Sequence, residues 1–299
     1  MSAPLIGVDV GGSKTAASVG SPEQVRGTAL GPGAAVRPGR AMASAAVIAE
    51  TVRKALAAAG AGRGSAMVVG AAGAGREGER SELEQALRVE GLADRVRVTT
   101  DIDIALTAAF GDGPGIVVVA GTGSVVLGRD PEGRMLRRGG YGWQMGDEGS
   151  GYAIGRAALG AVSRARDGRS PETALTPVLL EASRSADFDG LVRWAASASP
   201  AEVAALAPPV LHTAERGDVV AQGIADYAAR ELSTLVLGLA EEFPTGERVG
   251  VALMGGMLVG ERSLRSAVLA RLGEEPTLRP LATAVDATLG ALVLAARLG

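Results

Sequence analysis

The sequence predicts an α/β protein built from two related halves. One order of parts (strand, glycine turn, strand, Pro-Glu turn, strand) occurs twice, in "LIGVDVGGSKTAASVGSPEQVRG" and in "GIVVVAGTGSVVLGRDPEGRMLRRGG". Gly12-Ser13 then matches Gly123-Ser124, and Pro22-Glu23 matches Pro131-Glu132. At 299 residues the chain is also long for one core, so two domains are expected, 1–113 and 114–299, with a cleft between them.

The elements follow from local pattern. Residues 5–10, "LIGVDV", read as a buried strand ending in "GGSKT"; "AASVG" and "VRGTAL" complete a meander around the turn "SPEQ". Residues 40–59 form an alanine-rich helix closed by "GAGRG". "AMVVGAAGAG" is a strand running into a glycine loop, "REGERSELEQALRVEG" an amphipathic helix, and "RVRVTTD" a strand ending in an acid. After the second meander the chain turns helical from Gly149 onward, an insertion in the second half, with Ser170, Ser199 and Asp218 as candidate helix caps. "RVGVALMGG" returns as a strand ending in a glycine pair. "SLRSAVLARLG" and "TAVDATLGALVLAARLG" are the last helices, and the terminal one can pack back on the first domain.

Composition narrows the chemistry. A net charge of −3 argues against nucleic acid as partner, and Arg134, Arg137 and Arg138 read as solvated surface. The absence of cysteine excludes disulfides, thiolate metal sites, iron–sulfur ligation and cysteine nucleophiles. The single histidine, His212, lies in the polar-flanked helical stretch "PPVLHTAERGD" and reads as an ordinary structural or surface residue, which argues against a Ser-His-Asp triad. Any general base is then Asp or Glu, and any metal a hard cation held by oxygen. No leader pattern follows "MSAPLIG" and no apolar run suits a bilayer, so a cytoplasmic protein without membrane partners is expected.

Two turns carry the chemistry. Gly11, Gly12, Ser13, Lys14 and Thr15 lack the contiguous Gly-Lys-Thr and following helix of a P-loop, and the glycine spacing fails the dinucleotide fingerprint. What remains is a hairpin whose backbone N–H groups can face an anion, with Ser13 and Thr15 adding hydroxyl donors and Lys14 charge. Gly121, Thr122, Gly123 and Ser124 repeat it, so two turns can grip a polyphosphate. Asp9, one residue before the first turn, is either a structural aspartate or a Mg²⁺ holder through water. Asp101 ends a strand, where open α/β sheets place function, and suits proton abstraction from an alcohol. Asp103 is its rival and becomes mere helix-start decoration if a helix begins there. The segment "GGYGWQMGDEGSGYAIG" gathers Tyr141, Trp143 and Tyr152 from a chain with only two Trp, three Tyr and three Phe. Their faces suit sugar CH surfaces, and Gln144, Asp147 and Glu148 suit sugar hydroxyls; an apolar plug is the alternative.

With "GVDVGGSKT", "TTD", "VVVAGTGS", "GGYGWQMGDEGSGYAIG" and "VALMGGMLVG" in that order, the chain resembles the N-acetylglucosamine kinase family. That family is a branch of the sugar kinase, actin and heat-shock chaperone superfamily, shared with activator ATPases of acyl-CoA reductases and dehydratases. The resemblance implies two ribonuclease H-like (actin-like ATPase) domains, ATP with Mg²⁺, and a small-molecule amino sugar as substrate. It implies Asp101 as base toward the sugar O6, Thr122 and Asp147 in the sugar pocket, Gly255-Gly256 against adenosine, and a homodimer. The activator role needs cysteines that this chain lacks. Relatives usually carry a sugar-contacting asparagine in the loop after the third strand. Here it reads "GPGAAVRPGR", whose only polar residues are Arg37 and Arg40, which leaves N-acetylglucosamine, glucosamine and other amino sugars open.

Overall fold

A computed structural model describes residues 3–244, 248–283 and 285–298. Residues 284 and 299, inside the predicted terminal helix segment, lie outside the described residues. The chain divides into two compact units, Met1–Asp112 with Val285–Gly299, and Gly113–Ala284.

In the first unit the elements are β1 (Leu5–Val10), β2 (Lys14–Gly20), β3 (Val25–Pro32), α1 (Ala41–Ala58), β4 (Gly64–Ala71), α2 (Glu77–Val89), β5 (Ala93–Thr100) and α3 (Asp101–Phe110). In the second they are β6 (Gly115–Ala120), β7 (Ser124–Arg129), β8 (Met135–Gly139), α4 (Gly151–Arg166), α5 (Leu175–Ala182), α6 (Phe188–Ser197), α7 (Pro200–Ala204), α8 (Ala207–Glu215), α9 (Val219–Ala240), β9 (Val249–Met254), α10 (Gly256–Val259), α11 (Arg262–Gly273) and β10 (Leu278–Pro280). The terminal α12 (Ala287–Ala296) belongs to the first unit.

The two sheets share one topology. The first runs β3-β2-β1-β4-β5 and the second β8-β7-β6-β9-β10. In each, the meander is antiparallel and the next two strands join in parallel. The repeat predicted from two meanders therefore extends to whole sheets. The sequence reading missed β10, three residues long, and α3, whose ten residues follow β5 without a turn.

Strand periodicity sorts the first unit into layers. Side chains alternate across a sheet, so Ile6, Val8 and Val10 face one side while Gly7 and Asp9 face the other. The first side holds the core with α1 and α2, including Ile48, Val52, Leu83 and Leu87. On the other side lie α3 and α12. A Cβ on Gly7 would meet the Thr288 carbonyl at 2.3 Å, so the glycine lets α12 lie directly on β1. Ser18 and Thr288 hydroxyls share a buried 2.8 Å hydrogen bond that adds β2 to that seam.

The second unit has its own core, centred on β6, β7 and β9 with α4, α8 and α9. Caps set several helix starts: Ser150 for α4, Asp187 for α6, Ser199 for α7 and Asp218 for α9. Ser170 is not a cap. Helix α5 starts later, and the Asp218 carboxylate takes the Thr173 hydroxyl at 2.9 Å and the Ala174 N–H at 2.7 Å. The three arginines read as solvated surface are engaged as well. Arg134 donates to buried Asp130 at 2.6 Å, Arg138 pairs with Glu242 at 2.5 Å, and Arg137 donates to the Gly139 carbonyl at 3.1 Å. His212 stands exposed on α8, 3.7 Å from Glu261.

Candidate functional site

In the first unit the β1–β2 turn, the end of β1 and the β5–α3 junction form one chemical neighbourhood. The turn is closed by the Gly11 N–H donating to the Lys14 carbonyl at 2.9 Å. Among the described residues the N–H groups of Gly12 and Ser13 have no acceptor, and a Cβ on Gly12 would meet nothing within 4 Å. Two adjacent donors without acceptors suit an anion, with Gly33 packed so close that a Cβ there would meet the Gly12 carbonyl at 2.1 Å and the Ser13 nitrogen at 2.7 Å. Lys14 is exposed beside them. Thr15 departs from the expectation: it is fully buried, and its hydroxyl donates to the Pro32 carbonyl at 2.7 Å, so that proton is spent inside the sheet.

Asp9 is half-buried on the face that carries α3 and α12. Burial first, then the charges of Asp101 and Asp286, push its pKa up to about 6, against a counter-pull from Lys14. Asp286 is the cap of α12, accepting from the Thr288 N–H at 2.9 Å and the Thr288 hydroxyl at 2.7 Å. Carboxylates outnumber cations here, which fits a divalent cation bound beside Asp9. Among the described residues no group of three or more His, Cys, Asp or Glu could hold a metal. The residues therefore fit Mg²⁺, which keeps water and phosphate oxygens in most positions, rather than an all-protein cage.

Asp101 is the first residue of α3, not the last of β5. Burial raises its pKa, the N–H groups of Ile102 and of Asp101 itself hold it down, and the Asp103 charge raises it again. Asp103 occupies the third helical position and forms a reciprocal capping box with Thr100. Asp103 secures the helix start, and Asp101 is left with a half-buried carboxyl of raised basicity.

In the second unit the matching turn lies between β6 and β7. The Gly121 N–H donates to the Gly123 carbonyl at 2.8 Å, and among the described residues the N–H groups of Thr122 and Gly123 have no acceptor. Thr122 is exposed. Ser124 behaves like Thr15: it is buried, and its hydroxyl donates to the Glu148 carbonyl at 2.7 Å. Asp147 sits behind this turn with φ +61°, its carboxylate accepting from the Ser124 and Gly142 N–H groups, while burial raises its pKa. A Cβ on Gly123 would meet an Asp147 oxygen at 2.6 Å, so only glycine lets the turn sit on that carboxylate. The helix beyond is tied to the same turn, with Gly151 and Tyr152 N–H groups donating to the Gly121 and Thr122 carbonyls at 2.8 and 3.1 Å.

The aromatic segment stands largely exposed. Tyr141 is 68% and Trp143 46% exposed, and Gln144 is exposed too. Trp143 packs on Tyr152 with ring centroids 5.2 Å apart, and the Arg137 guanidinium lies 5.8 Å above Tyr141. Gly255 and Gly256 divide. Gly255 has φ +87°, and a Cβ there would meet the Ala120 carbonyl at 2.2 Å; Gly256 opens α10 with nothing within 4 Å of its Cβ position. Sequence reading missed Asp286 and Ser150. The signal for each was an Asp or Ser just before a helical stretch, which suggests a cap but not its neighbours.

No helix of the described residues is long and apolar enough to cross a membrane. Comparison with known proteins agrees with the geometry. The chain is 34% identical over 197 residues to the N-acetylmuramic acid/N-acetylglucosamine kinase of Clostridium acetobutylicum, covering 65% of this chain and 64% of that one. It is also 34% identical over 191 residues to the N-acetyl-D-glucosamine kinase of Dictyostelium discoideum, covering 60% and 59%. The match thus spans less than two thirds of these curated relatives' own length. A solved structure from Chromobacterium violaceum, described as a candidate N-acetylglucosamine kinase, superposes with a TM-score of 0.82 at 29% identity, over 98% of this chain and 99% of that one. The fold is the two-domain one of actin-like sugar kinases. The profile of one family spans residues 6–295, nearly the whole sequence, and by that match the chain belongs to the BadF/BadG/BcrA/BcrD ATPase family.

Proposed function

We propose that this protein is an ATP-dependent amino-sugar kinase in which Asp101 is the general base. The observation that carries the reading is Asp101 itself: a carboxyl of raised basicity at the start of α3, in the same neighbourhood as Asp9 and the open turn at Gly12 and Ser13. In the first unit the Gly12 and Ser13 N–H groups bind phosphate oxygens, with Lys14 adding charge, and in the second the Thr122 and Gly123 N–H groups suit the same chemistry. Mg²⁺ beside Asp9 supplies charge neutralisation on the phosphates when bound. The sugar hydroxyl, O6 in the favoured reading, loses its proton to Asp101 as its oxygen bonds to the γ-phosphorus. The bond from that phosphorus to the bridging oxygen breaks, and ADP leaves.

Tyr141, Trp143 and Gln144 offer exposed faces and polar groups for the sugar. Asp147 holds the second turn through two backbone N–H groups, so any sugar contact it makes is additional to that duty. Among the described residues the Arg37 and Arg40 side chains have no hydrogen bond or ion pair, and both are exposed. An N-acetylmuramic acid carboxylate would suit them, and one relative is named for that sugar.

The test is ADP release by the purified chain with MgATP over glucosamine, N-acetylglucosamine and N-acetylmuramic acid. Turnover with at least one is expected; none with any would end the reading, and tight sugar binding without turnover would favour a sensor of the same fold. Asp101→Asn should keep ATP binding and lose about 10²–10⁴-fold in kcat, the usual worth of a general base.

A further inference from the structure

The β5–α3 junction is closed by one carboxylate. Oδ2 of Asp103 accepts from the Thr100 hydroxyl at 2.8 Å and the Thr100 N–H at 3.2 Å, and from the Thr99 hydroxyl. In return the Asp103 N–H donates to the Thr100 hydroxyl oxygen at 3.1 Å. Three donors on a single oxygen, two of them from the strand's last two side chains, exceed what an ordinary capping box needs. Asp101 lies inside the ring so formed, between Thr100 and Asp103. The ring fixes the backbone of the first turn, and the Asp101 carboxyl accepts from two N–H groups of that same turn, those of Ile102 and of Asp101 itself.

We infer that Asp103 is a positioning residue for the reaction: it locks the strand-to-helix junction so that the Asp101 carboxyl is held at one orientation. This rests on the kinase reading above for its catalytic consequence, but not for its structural one. Asp103 touches neither reacting atom. It acts through the Thr99 and Thr100 hydroxyls and through the first turn of α3. The charged groups in electrostatic reach of Asp101 are Asp103 on its own helix and Asp9 on β1, while Asp286 on α12 and Lys14 on β2 act on Asp9 in turn. Every one except Lys14 is acidic. Removing the Asp103 charge therefore lowers the basicity of Asp101, and removing the ring frees its direction.

Two variants separate the effects. Asp103→Asn keeps an acceptor oxygen for the ring and removes the charge; Asp103→Ala removes both. For Asp103→Ala we expect kcat to fall 10- to 100-fold while the sugar KM stays within threefold. For Asp103→Asn we expect a smaller loss, with the acid limb of the kcat profile displaced to lower pH. A parallel ¹³C titration of the Asp101 carboxyl, assigned by its loss in Asp101→Asn, should show its pKa lowered in Asp103→Asn. That measurement needs no turnover, so it tests the effect of the Asp103 charge on Asp101 even if no amino sugar is phosphorylated. An Asp103→Ala protein with wild-type kcat, or an Asp101 titration unmoved in Asp103→Asn, would reduce Asp103 to a plain helix cap and overturn the inference.

Discussion

At the scale of single residues, the site is a set of carboxyls held where water would serve them better. Asp9 shows the consequence for stability. Its pKa is 3.8 as an ordinary carboxyl and about 6 in the fold. A raised pKa means the folded state prefers the protonated form. The associated stability is intact below pH 4 and is lost as pH rises through 6. The shift corresponds to about 3 kcal/mol at neutral pH. Asp9→Asn, neutral and nearly isosteric, should therefore stabilise the nucleotide-free protein by up to that amount at pH 7.5 in chelator, and by almost nothing near pH 4. Denaturant melts at the two pH values check it; equal gains at both would mean that Asp9 is not strained by its charge. Thr15 and Ser124 make the opposite point. Both hydroxyls invite a phosphate reading, yet each first residue or two of a strand faces inward or outward according to register. These two face in and bond protein carbonyls.

At the scale of elements, close helix packing aims Asp9 and Asp101. Helix α12 meets α3 at Gly290, where a Cβ would lie 1.9 Å from the Ile104 carbonyl and 2.7 Å from the Ala108 nitrogen. Alanine is a better helix former than glycine by about 1 kcal/mol, which alone would favour Gly290→Ala. Forcing the helices apart costs about 1–3 kcal/mol or more, because both partners are backbone and cannot give way. The clash wins, so Gly290→Ala should lower stability. Gly223→Ala, on α9 with nothing within 4 Å of its Cβ position, should instead raise it by about 0.5–1 kcal/mol. Thermal melts of the two variants test the contrast, and a stabilised Gly290→Ala would mean that the two helices are not in register as described.

At the scale of the whole molecule, the first unit is completed by a helix that comes after the entire second unit in the chain. Ala287, Thr288, Ala291, Leu292 and Ala295 are all buried on it. Losing Leu292 alone should cost about 2–5 kcal/mol, and losing the helix exposes one face of β1. A chain ended at residue 283 should lose amide-exchange protection in β1 and β4 while β6 and β9 keep theirs. Protection retained throughout would show that the first sheet stands without α12.

Much of the fold was legible because strands and helices announce themselves locally. "LIGVDV" and "GIVVVA" are apolar runs bounded by glycine turns, and their repetition with matching Pro-Glu turns marks the doubled topology in the sequence itself. The turns at Gly12 and Thr122 were legible for the same reason. What local pattern could not supply was direction and company. Asp101 and Asp103 differ by two residues, and only the start of α3 decided which one closes the capping box and which one does not. Asp286 reaches the neighbourhood of Asp9 from the far end of the chain because α12 lies on β1 over Gly7. Sequence alone determined most of the strands, helices and turns, since hydrophobic period and turn chemistry are properties of neighbours along the chain, but not α3 or the short β10. The tertiary structure decided which carboxyls are crowded together, because charge and burial depend on distance in space, and packing sets that distance.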